Sequence, residues 1–458
     1  MEAHMQEFFA FLEANRQRYL EELLTFCRIP SVSTDPAHRE DIQAAANYLE
    51  ERLRNLGAQV RLLQVDDSHP YVFAEFGEGE RTLLIYDHYD VQPARLEDGW
   101  QHDPFTPLIR DGAVYARGVA DNKGNLLFRL QALEAWLAVF GKLPLRVRFF
   151  IEGEEEIGSP NLPAVARQYA DSLRADGCIW ESGRRSKEGI PILELGLRGI
   201  LYVELRLRAP NRALHSSWAN VVENPAFALQ DRLRMALQSL TDSQGRPVFL
   251  QGIVPAPAPE DLALLPAIPF DPQVATREYN IALRPGLDGV EALRRLFFEP
   301  SCNVCGFGVG YTGPGVKTVI PNTATAKLDM RLPPGITPQV ALVRLQQHLR
   351  SRGYDDIEVH PLVGMRAART DPHAAIVQAA RQAVETVYGQ APIVYPLMPA
   401  SGPMYDLCQA LGTPAVCLGA THPGSGAHSV DENIYLDDYF RMMQVFGVFL
   451  QRFAAAPL

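Results

Sequence analysis

The chain has 458 residues, a length that indicates about two or three domains. Charged residues make up 21% and hydrophobic residues 47% of the chain, which is typical of a globular protein with a large core and argues against disorder. The net charge of −11 disfavours nucleic-acid binding, which needs a basic surface, and no apolar run approaches the roughly 20 residues of a membrane span.

The first part of the chain alternates helical and extended patterns. Apolar residues at helical spacing predict a helix over 6–27, ended by Pro30, and a second helix over 39–56, closed by Gly57. The next segments are predicted to be strands over 59–65, 71–76 and 81–87, a helix over 123–140 and a strand over 145–151. Strand, crossover helix and strand in this order indicate a layered α/β domain.

After Gly199 the pattern changes. Residues 201–207 alternate apolar with charged side chains, which indicates a half-exposed strand. The following segments predict a helix over 225–240, a strand over 323–332, a helix over 338–352 and a strand over 356–362. The α/β pattern then returns, with a helix over 370–388, a strand over 415–418 and a helix over 437–453. We therefore predict a discontinuous α/β domain, residues 1–199 and 369–458, interrupted by a smaller α+β domain over 200–368.

The ends and cysteines of the chain indicate its compartment. Residues 1–7 are acidic and lack the basic region and apolar core of a secretory signal. Six scattered cysteines are typical of a reducing compartment, and Cys302 and Cys305 lack the second pair of ligands that a structural zinc site needs. We expect a cytoplasmic protein whose partners include neither nucleic acid nor a membrane.

Polar clusters occur where strands are predicted to end. His88 and Asp90 follow an apolar strand two residues apart, so their side chains leave the same face. A carboxylate beside a histidine fixes the ring tautomer at metal sites, although a solvated surface histidine fits this pattern equally well. Asp121 lies in a glycine-flanked turn before a helix, where it either faces a ligand or caps that helix.

The acidic segment 152–156 is the most informative cluster. It places four carboxylates within five residues directly after a buried strand, and such charges repel unless a cation compensates them or one is protonated. We interpret the segment as a cation site. His428, in a glycine-rich loop before the last helix, is a further ligand or part of a helix cap. Mixed nitrogen and oxygen ligands without cysteine suit a catalytic site for Zn²⁺, or for Mn²⁺ or Co²⁺, better than one for Ca²⁺.

Four motifs occur in the order of a known family. They cover residues 88–93, 118–124, 152–159 and 426–429. They resemble the motifs of the co-catalytic-zinc metallopeptidase family of carnosinase-type dipeptidases, aminoacylases, glutamate carboxypeptidases and succinyl-diaminopimelate desuccinylases. The resemblance covers nearly the whole chain. It implies a zinc-peptidase-like catalytic α/β domain with an inserted α+β lid or dimerisation domain, and hence a homodimer formed through the inserted domain.

The resemblance also implies roles for single residues in the catalytic domain. It assigns His88 and Glu181 to one zinc ion, Glu156 and His428 to a second, and Asp121 to a bridge between them. Asp90 is expected to orient His88, and Glu155 to be the general base. The Asp121–Asn122 peptide bond is expected to be cis. From the residues alone, Glu181 is an ordinary strand-end residue.

Further roles are implied for the inserted domain and for one loop. His215 is expected to reach the active site of a partner subunit and help hold the scissile carbonyl oxygen. Arg331 is expected to hold a substrate carboxylate, the alternative being an outward residue on an alternating strand. Ser401 and Gly402 lie where many dipeptidases carry an acidic Glu-Gly-Gly-Ser-type loop, and we expect them to contact substrate.

The expected function is hydrolysis of an amide bond in dipeptides or short peptides with a free carboxylate. Two zinc ions per subunit would activate a water, with Glu155 as general base. An N-acyl-amino-acid deacylase or a carboxypeptidase that uses the same site is the alternative enzyme. A metal-binding homologue without activity is the alternative outside enzymes, although every expected position is filled here.

Overall fold

The computed structural model describes residues 2–284, 286–287 and 289–457, which form two compact units. Unit 1 contains the chain up to Gly196 together with Arg369–Pro396 and the part from Asp406 onward. Unit 2 contains Leu197–Ala368 and the short segment Leu397–Tyr405. Both units mix helices with sheet, and the large sheet belongs to unit 1, in agreement with the predicted α/β fold class.

A nine-stranded sheet forms the centre of unit 1. In spatial order its strands are Gln59–Leu63, Tyr71–Phe76, Arg146–Glu152, Thr82–His88, Gly177–Trp180, Ala415–Cys417, Pro191–Glu194 and Ile393–Tyr395, with Arg184–Arg185 paired to Pro191–Glu194. The strand Thr82–His88 runs parallel to both of its neighbours, Arg146–Glu152 and Gly177–Trp180. These three strands are buried at almost every position, as expected for strands that are covered on both faces. Their carboxyl ends therefore lie together at one edge.

Helices pack against this sheet and against one another. The α-helices of unit 1 are Glu2–Ala14, Arg16–Cys27, Arg39–Asn55, Gly124–Phe140, Leu162–Gln168, Ala170–Leu173, Ala375–Tyr388 and Leu436–Ala454. The last of these packs against both Gly124–Phe140 and Ala375–Tyr388. A smaller sheet consists of Asn433–Tyr435, Ala113–Tyr115 and Leu108–Arg110. No helix within the described residues has both the length and the apolar character that a bilayer span requires.

The single helix predicted over 6–27 is wrong in one respect, because the structure has two helices that meet at Asn15. The side-chain amide of Asn15 donates to the carbonyl of Phe11 at 2.9 Å, the same oxygen that accepts from the Asn15 backbone N–H. Asparagine competes in this way for backbone groups and so favours helix ends over helix interiors. The apolar spacing continues across the break, which is why the pattern alone predicts one helix.

A four-stranded antiparallel sheet forms the centre of unit 2. Its strands, in spatial order, are Asn303–Val309, Thr323–Leu332, Gly199–Arg208 and Ile357–Met365. Residues of Gly199–Arg208 alternate between buried and half-buried, so one face of the sheet covers the core of the unit. The helices Ala226–Gln238 and Pro338–Ser351 contribute the other side of that core.

Shorter elements complete the chain. Unit 2 also contains the helices Pro259–Leu264, Pro272–Tyr279 and Gly289–Phe298 and the paired strands Leu214–His215 and Val319–Ile320. The remaining short elements are the strands Gly196–Leu197 and Ala368–Arg369 and the helix Met404–Leu407.

Candidate metal centre

Three neighbouring parallel strands bring ionisable side chains to one edge of the sheet in unit 1. Parallel strands expose their carboxyl ends at the same edge, so residues far apart in sequence meet there. The residues delivered in this way are His88 at the end of the first strand, Glu155 and Glu156 shortly after the second, and Glu181 directly after the third.

Four side chains converge around Asp121. Its Oδ1 lies 3.1 Å from Nε2 of His88, and its Oδ2 lies 3.1 Å from Nε2 of His428. Nε2 of His428 is also 3.1 Å from Oε2 of Glu156, and Nε2 of His88 is 3.4 Å from Oε2 of Glu181. The structure therefore brings all five expected ligands together, in the two groups that share Asp121. The peptide bond between Asp121 and Asn122 is cis, as predicted.

Asp90 has a wider role in the structure than the sequence indicates. Nδ1 of His88 donates to the backbone carbonyl of Asp90 at 3.0 Å and lies 3.4 Å from its carboxylate. The carboxylate itself accepts the backbone N–H groups of Glu155 and Glu156 at 3.2 and 3.0 Å, and the Ser33 hydroxyl at 2.6 Å. One residue thus orients the histidine and also holds the acidic loop.

The carboxylates of this cluster need a cation to compensate their negative charge. With Nδ1 of His88 donating to Asp90, only a cation or a proton at Nε2 makes its approach to Asp121 and Glu181 favourable. Burial would lower the pKa of His88, but hydrogen bonds with Asp121 and Asp90 raise it well above its ordinary value. Oε2 of Glu181 is buried and has no hydrogen-bond partner among the described residues. These nitrogen and oxygen ligands fit a divalent metal ion. In the metal-free protein, a proton on the imidazole takes the place of the metal's positive charge.

The second half of the cluster is more open than the first. The side chain of His428 is 55% exposed, whereas that of His88 is 1% exposed. Hydrogen bonds with Asp121 and Glu156 raise the pKa of His428 to about 10. Oε2 of Glu156 also accepts from the side-chain amide of Gln92 at 2.9 Å, which holds it on the side of His428. A ligand from solvent can therefore reach the cluster at His428.

Glu155 is half-buried beside the cluster. Removal from water raises the pKa of Glu155 to about 8; the charge of His88 opposes this shift, and the carboxylates of Asp121 and Glu156 add to it. A carboxyl group with a pKa near neutrality can both accept and return a proton at physiological pH.

A buried arginine connects three of the segments that carry these residues, and sequence reasoning did not identify it. Arg129 pairs with Asp87, which precedes His88, and donates to the carbonyls of Trp180 and Ser182 at 3.1 and 3.0 Å, on either side of Glu181. Asn122 completes the connection, because its amide donates to Asp87 at 2.7 Å and its oxygen accepts from the Ser182 backbone N–H at 3.2 Å. The signal was a charge between apolar neighbours, since residues 126–128 before Arg129 and Leu130 after it are all apolar.

The other expected residues lie in unit 2. Nη1 of Arg331 donates to the Ser401 hydroxyl at 2.8 Å, so two residues from distant parts of the sequence meet. Gly402 is buried, and a Cβ there would lie 3.0 Å from the Leu197 side chain. His215 is exposed. Its Nδ1 accepts the backbone N–H of Ser217 at 3.1 Å, so Nε2 carries the ring proton and donates to the Thr318 hydroxyl oxygen at 3.2 Å.

Comparison with known proteins identifies the family. The model of peptidase family M20/M25/M40 matches residues 84–452. The chain is 28% identical to the Beta-Ala-His dipeptidase of Rattus norvegicus, over 97% of this chain and 94% of that protein. It is 27% identical to the Cys-Gly metallodipeptidase of Saccharomyces cerevisiae, over 98% of both chains.

Solved structures agree with these relatives. An M20 family metallo-carboxypeptidase from Sulfolobus solfataricus superposes with a TM-score of 0.85 at 35% identity, over 95% of this chain and 99% of that one. The dipeptidase Dug1p from Saccharomyces cerevisiae superposes with a TM-score of 0.85 at 25% identity, over the full length of both chains. The resemblance inferred from the motifs is thereby confirmed. The chain belongs to peptidase family M20/M25/M40.

Proposed function

We propose that this metallopeptidase hydrolyses the peptide bond of dipeptides that carry a free carboxylate, with Glu155 as general base. The observation that carries the proposal is the convergence of His88 and His428 on the two oxygens of Asp121, with a further carboxylate beside each ring. The two full-length relatives are named for the unlike dipeptides Beta-Ala-His and Cys-Gly. These two dipeptides differ in their side chains but share their length and their free ends. This supports an enzyme that selects its substrate by size and by the charge at the ends of the peptide.

The metal set that suits these ligands is two zinc ions per subunit, with Mn²⁺ or Co²⁺ as substitutes. His88 and Glu181 would hold one ion, His428 and Glu156 the other, and Asp121 both. When bound, such ions supply Lewis-acid chemistry, since they lower the pKa of a water and polarise a carbonyl group.

The side chains of this protein then divide the remaining work. Glu155 would take the proton of the attacking water and pass it to the leaving amine, a task that its raised pKa suits. Arg331, supported by Ser401, would bind the free carboxylate of the substrate, and Gly402 would contact the substrate next to Ser401. Asp90 would keep His88 in the tautomer that presents Nε2 to the metal.

The quaternary structure and compartment belong to the same proposal. His215 would hold the scissile carbonyl oxygen in the active site of a partner subunit, which requires a homodimer formed through unit 2. A mass of one chain in light scattering would contradict this role. A cytoplasmic location is supported by six free cysteines, and fractionation of cells tests it.

A carboxypeptidase or an N-acyl-amino-acid deacylase is the second candidate. The relative from Sulfolobus solfataricus is named a metallo-carboxypeptidase, and it is 35% identical to this chain. The loop at Ser401 and Gly402 also departs from the acidic dipeptidase pattern. Both activities would use the same metal ligands and the same base.

The test is a substrate panel with the metal-reconstituted protein. Zn²⁺, Mn²⁺ and Co²⁺ are added separately to chelator-treated protein, and metal content is measured beside turnover. The panel contains dipeptides, their C-terminal amides, longer peptides, and N-acetyl and N-succinyl amino acids. We expect the highest kcat/KM for free dipeptides. A preference for longer peptides or acyl amino acids would favour the second candidate, and no turnover with metal bound would reject both.

A further inference from the structure

Glu432 is a buried carboxylate to which neither the sequence analysis nor the metal cluster assigns a role. It is fully buried, and it accepts four hydrogen bonds from one short loop. Oε1 accepts the backbone N–H groups of Ala120 and Asp121 at 2.8 and 2.9 Å. Oε2 accepts the backbone N–H of Gly118 at 3.0 Å and Nη1 of Arg117 at 2.6 Å.

These contacts fix the loop that carries Asp121. A turn that exposes three N–H groups to the protein interior needs an acceptor, because each unpaired buried group is costly. Glu432 supplies that acceptor, and Arg117 supplies the countercharge that makes burial of the carboxylate tolerable. The backbone takes part as well, since the carbonyl of Glu432 accepts the N–H of Ala116 at 3.0 Å.

The same residue belongs to the segment that carries His428. Glu432 follows His428 by four residues and precedes the strand Asn433–Tyr435, which pairs with Ala113–Tyr115. Asp121 and His428 come from parts of the sequence more than 300 residues apart, yet their facing atoms lie 3.1 Å from each other. The side chain of Glu432 therefore joins the Asp121 loop to the segment that carries His428.

We infer that Glu432 is a positioning residue: it holds the Asp121 loop against the His428 segment and thereby sets the affinity of the centre for metal. The inference rests on the metal centre of the proposed function. Glu432 is not one of the expected metal ligands or substrate contacts, and it acts through the Asp121 loop, so its effect should appear in metal binding first. The chemical step itself should be intact once metal is bound.

The test is the variant Glu432→Gln. A glutamine presents one oxygen and one NH₂ group, so it satisfies one pair of donors and turns two hydrogens toward the other pair. We expect the zinc dissociation constant, measured by competition with a chelator, to rise by about 10- to 100-fold, as for other residues that orient metal ligands. At saturating zinc, we expect kcat to return to within about threefold of the wild-type value.

Glu194→Gln is the matched control. Glu194 is also fully buried in unit 1, but it pairs with Arg184 at 3.0 Å instead of with the Asp121 loop. We expect its zinc affinity to stay within about threefold of the wild-type affinity, even if its thermal stability falls. An equal loss of affinity in both variants would overturn the inference, because general destabilisation would then explain it.

Two further results separate this inference from the proposed function. Wild-type zinc affinity in Glu432→Gln would overturn the positioning role and leave the hydrolase proposal standing. Zinc binding without hydrolysis of any panel substrate would reject the hydrolase proposal, while the zinc affinities of the variants would still decide the role of Glu432.

Where Glu432→Gln does not fold, Glu432→Asp replaces it. It keeps the charge but shortens the reach, and an unchanged zinc affinity there would equally overturn the inference.

Discussion

At the scale of single residues, Glu155 combines the two properties that a general base requires. It lies beside the ligands, and removal from water raises its pKa in the metal-free protein, so its carboxylate takes up a proton more readily than an exposed glutamate does. We predict that Glu155→Gln lowers kcat by about 10²- to 10⁴-fold while metal content stays unchanged. Turnover and metal analysis on the same sample measure this. Glu97→Gln, which changes an exposed carboxylate, is the control; full activity in Glu155→Gln would remove Glu155 from the mechanism.

Arg331 gives a second prediction at this scale. Its guanidinium donates to Ser401, and Asp329, 3.4 Å away, compensates only part of its charge. We predict that Arg331→Met raises KM for a dipeptide by about 10- to 100-fold, since a charged hydrogen bond contributes about 1.5–3 kcal/mol. KM for the matching C-terminal amide should hardly change. The exposed Arg208→Met serves as control, and an equal effect on acid and amide would contradict carboxylate binding.

Two of the candidate ligands were predictable because each breaks a local pattern. His88 ends an apolar strand, and Glu156 belongs to a run of carboxylates that repel one another. Glu181 was not predictable from its own surroundings, since a single glutamate after a strand is common. The second role of Asp90 and the contacts of Glu432 were also out of reach, because an acceptor for backbone N–H groups leaves no signature in sequence.

At the scale of elements, Arg129 links the ends of two of the three parallel strands, since it pairs with Asp87 and donates to the carbonyl of Trp180. Its pair with Asp87 is fully buried, so loss of the arginine leaves an uncompensated charge in the interior. We predict that Arg129→Met lowers the free energy of unfolding of the metal-free protein by about 3–5 kcal/mol. Denaturant titration measures this, with the exposed Arg39→Met as control. A change below about 0.5 kcal/mol, the usual size for a surface substitution, would show that the pair is dispensable.

Long elements were predicted more reliably than short ones. The strand Thr323–Leu332 has the predicted bounds, and the last helix, Leu436–Ala454, differs by one residue at each end, because many residues repeat one pattern there. The strands Pro191–Glu194 and Ile393–Tyr395 were missed. Each has only three or four residues, and what makes them strands is their pairing with each other across about 200 positions of sequence. Such pairing is decided by tertiary structure, which local periodicity does not report.

At the scale of the whole molecule, metal binding should be linked to pH. In the metal-free protein the pKa of His428 is raised from 6.5 to about 10. A pKa raised by folding contributes stability that is fully present below pH 6.5 and is lost as pH rises through about 10. Because metal must displace this proton, we predict that zinc affinity increases over the same interval and that binding releases protons.

Calorimetry in buffers of different ionisation enthalpy measures the number of protons released per metal ion. On zinc binding, the variant His428→Gln should release fewer protons per metal ion than the wild-type protein does. His373→Gln, which changes an exposed histidine outside the cluster, should release the same number as wild type. Zinc affinity independent of pH between 6.5 and 10 would contradict the competition between metal and proton.

The shared direction of the three central strands has a consequence for redesign. Most of the reactive groups stand where the chain leaves the sheet or enters a helix, while the interior beneath them is apolar or internally neutralised. An engineer who keeps the metal ligands and Glu155 can therefore vary the positions between them and retarget the enzyme without rebuilding its framework. The exchange that would fail is one that replaces Gly153, because a Cβ there would lie 2.4 Å from the Tyr89 hydroxyl oxygen.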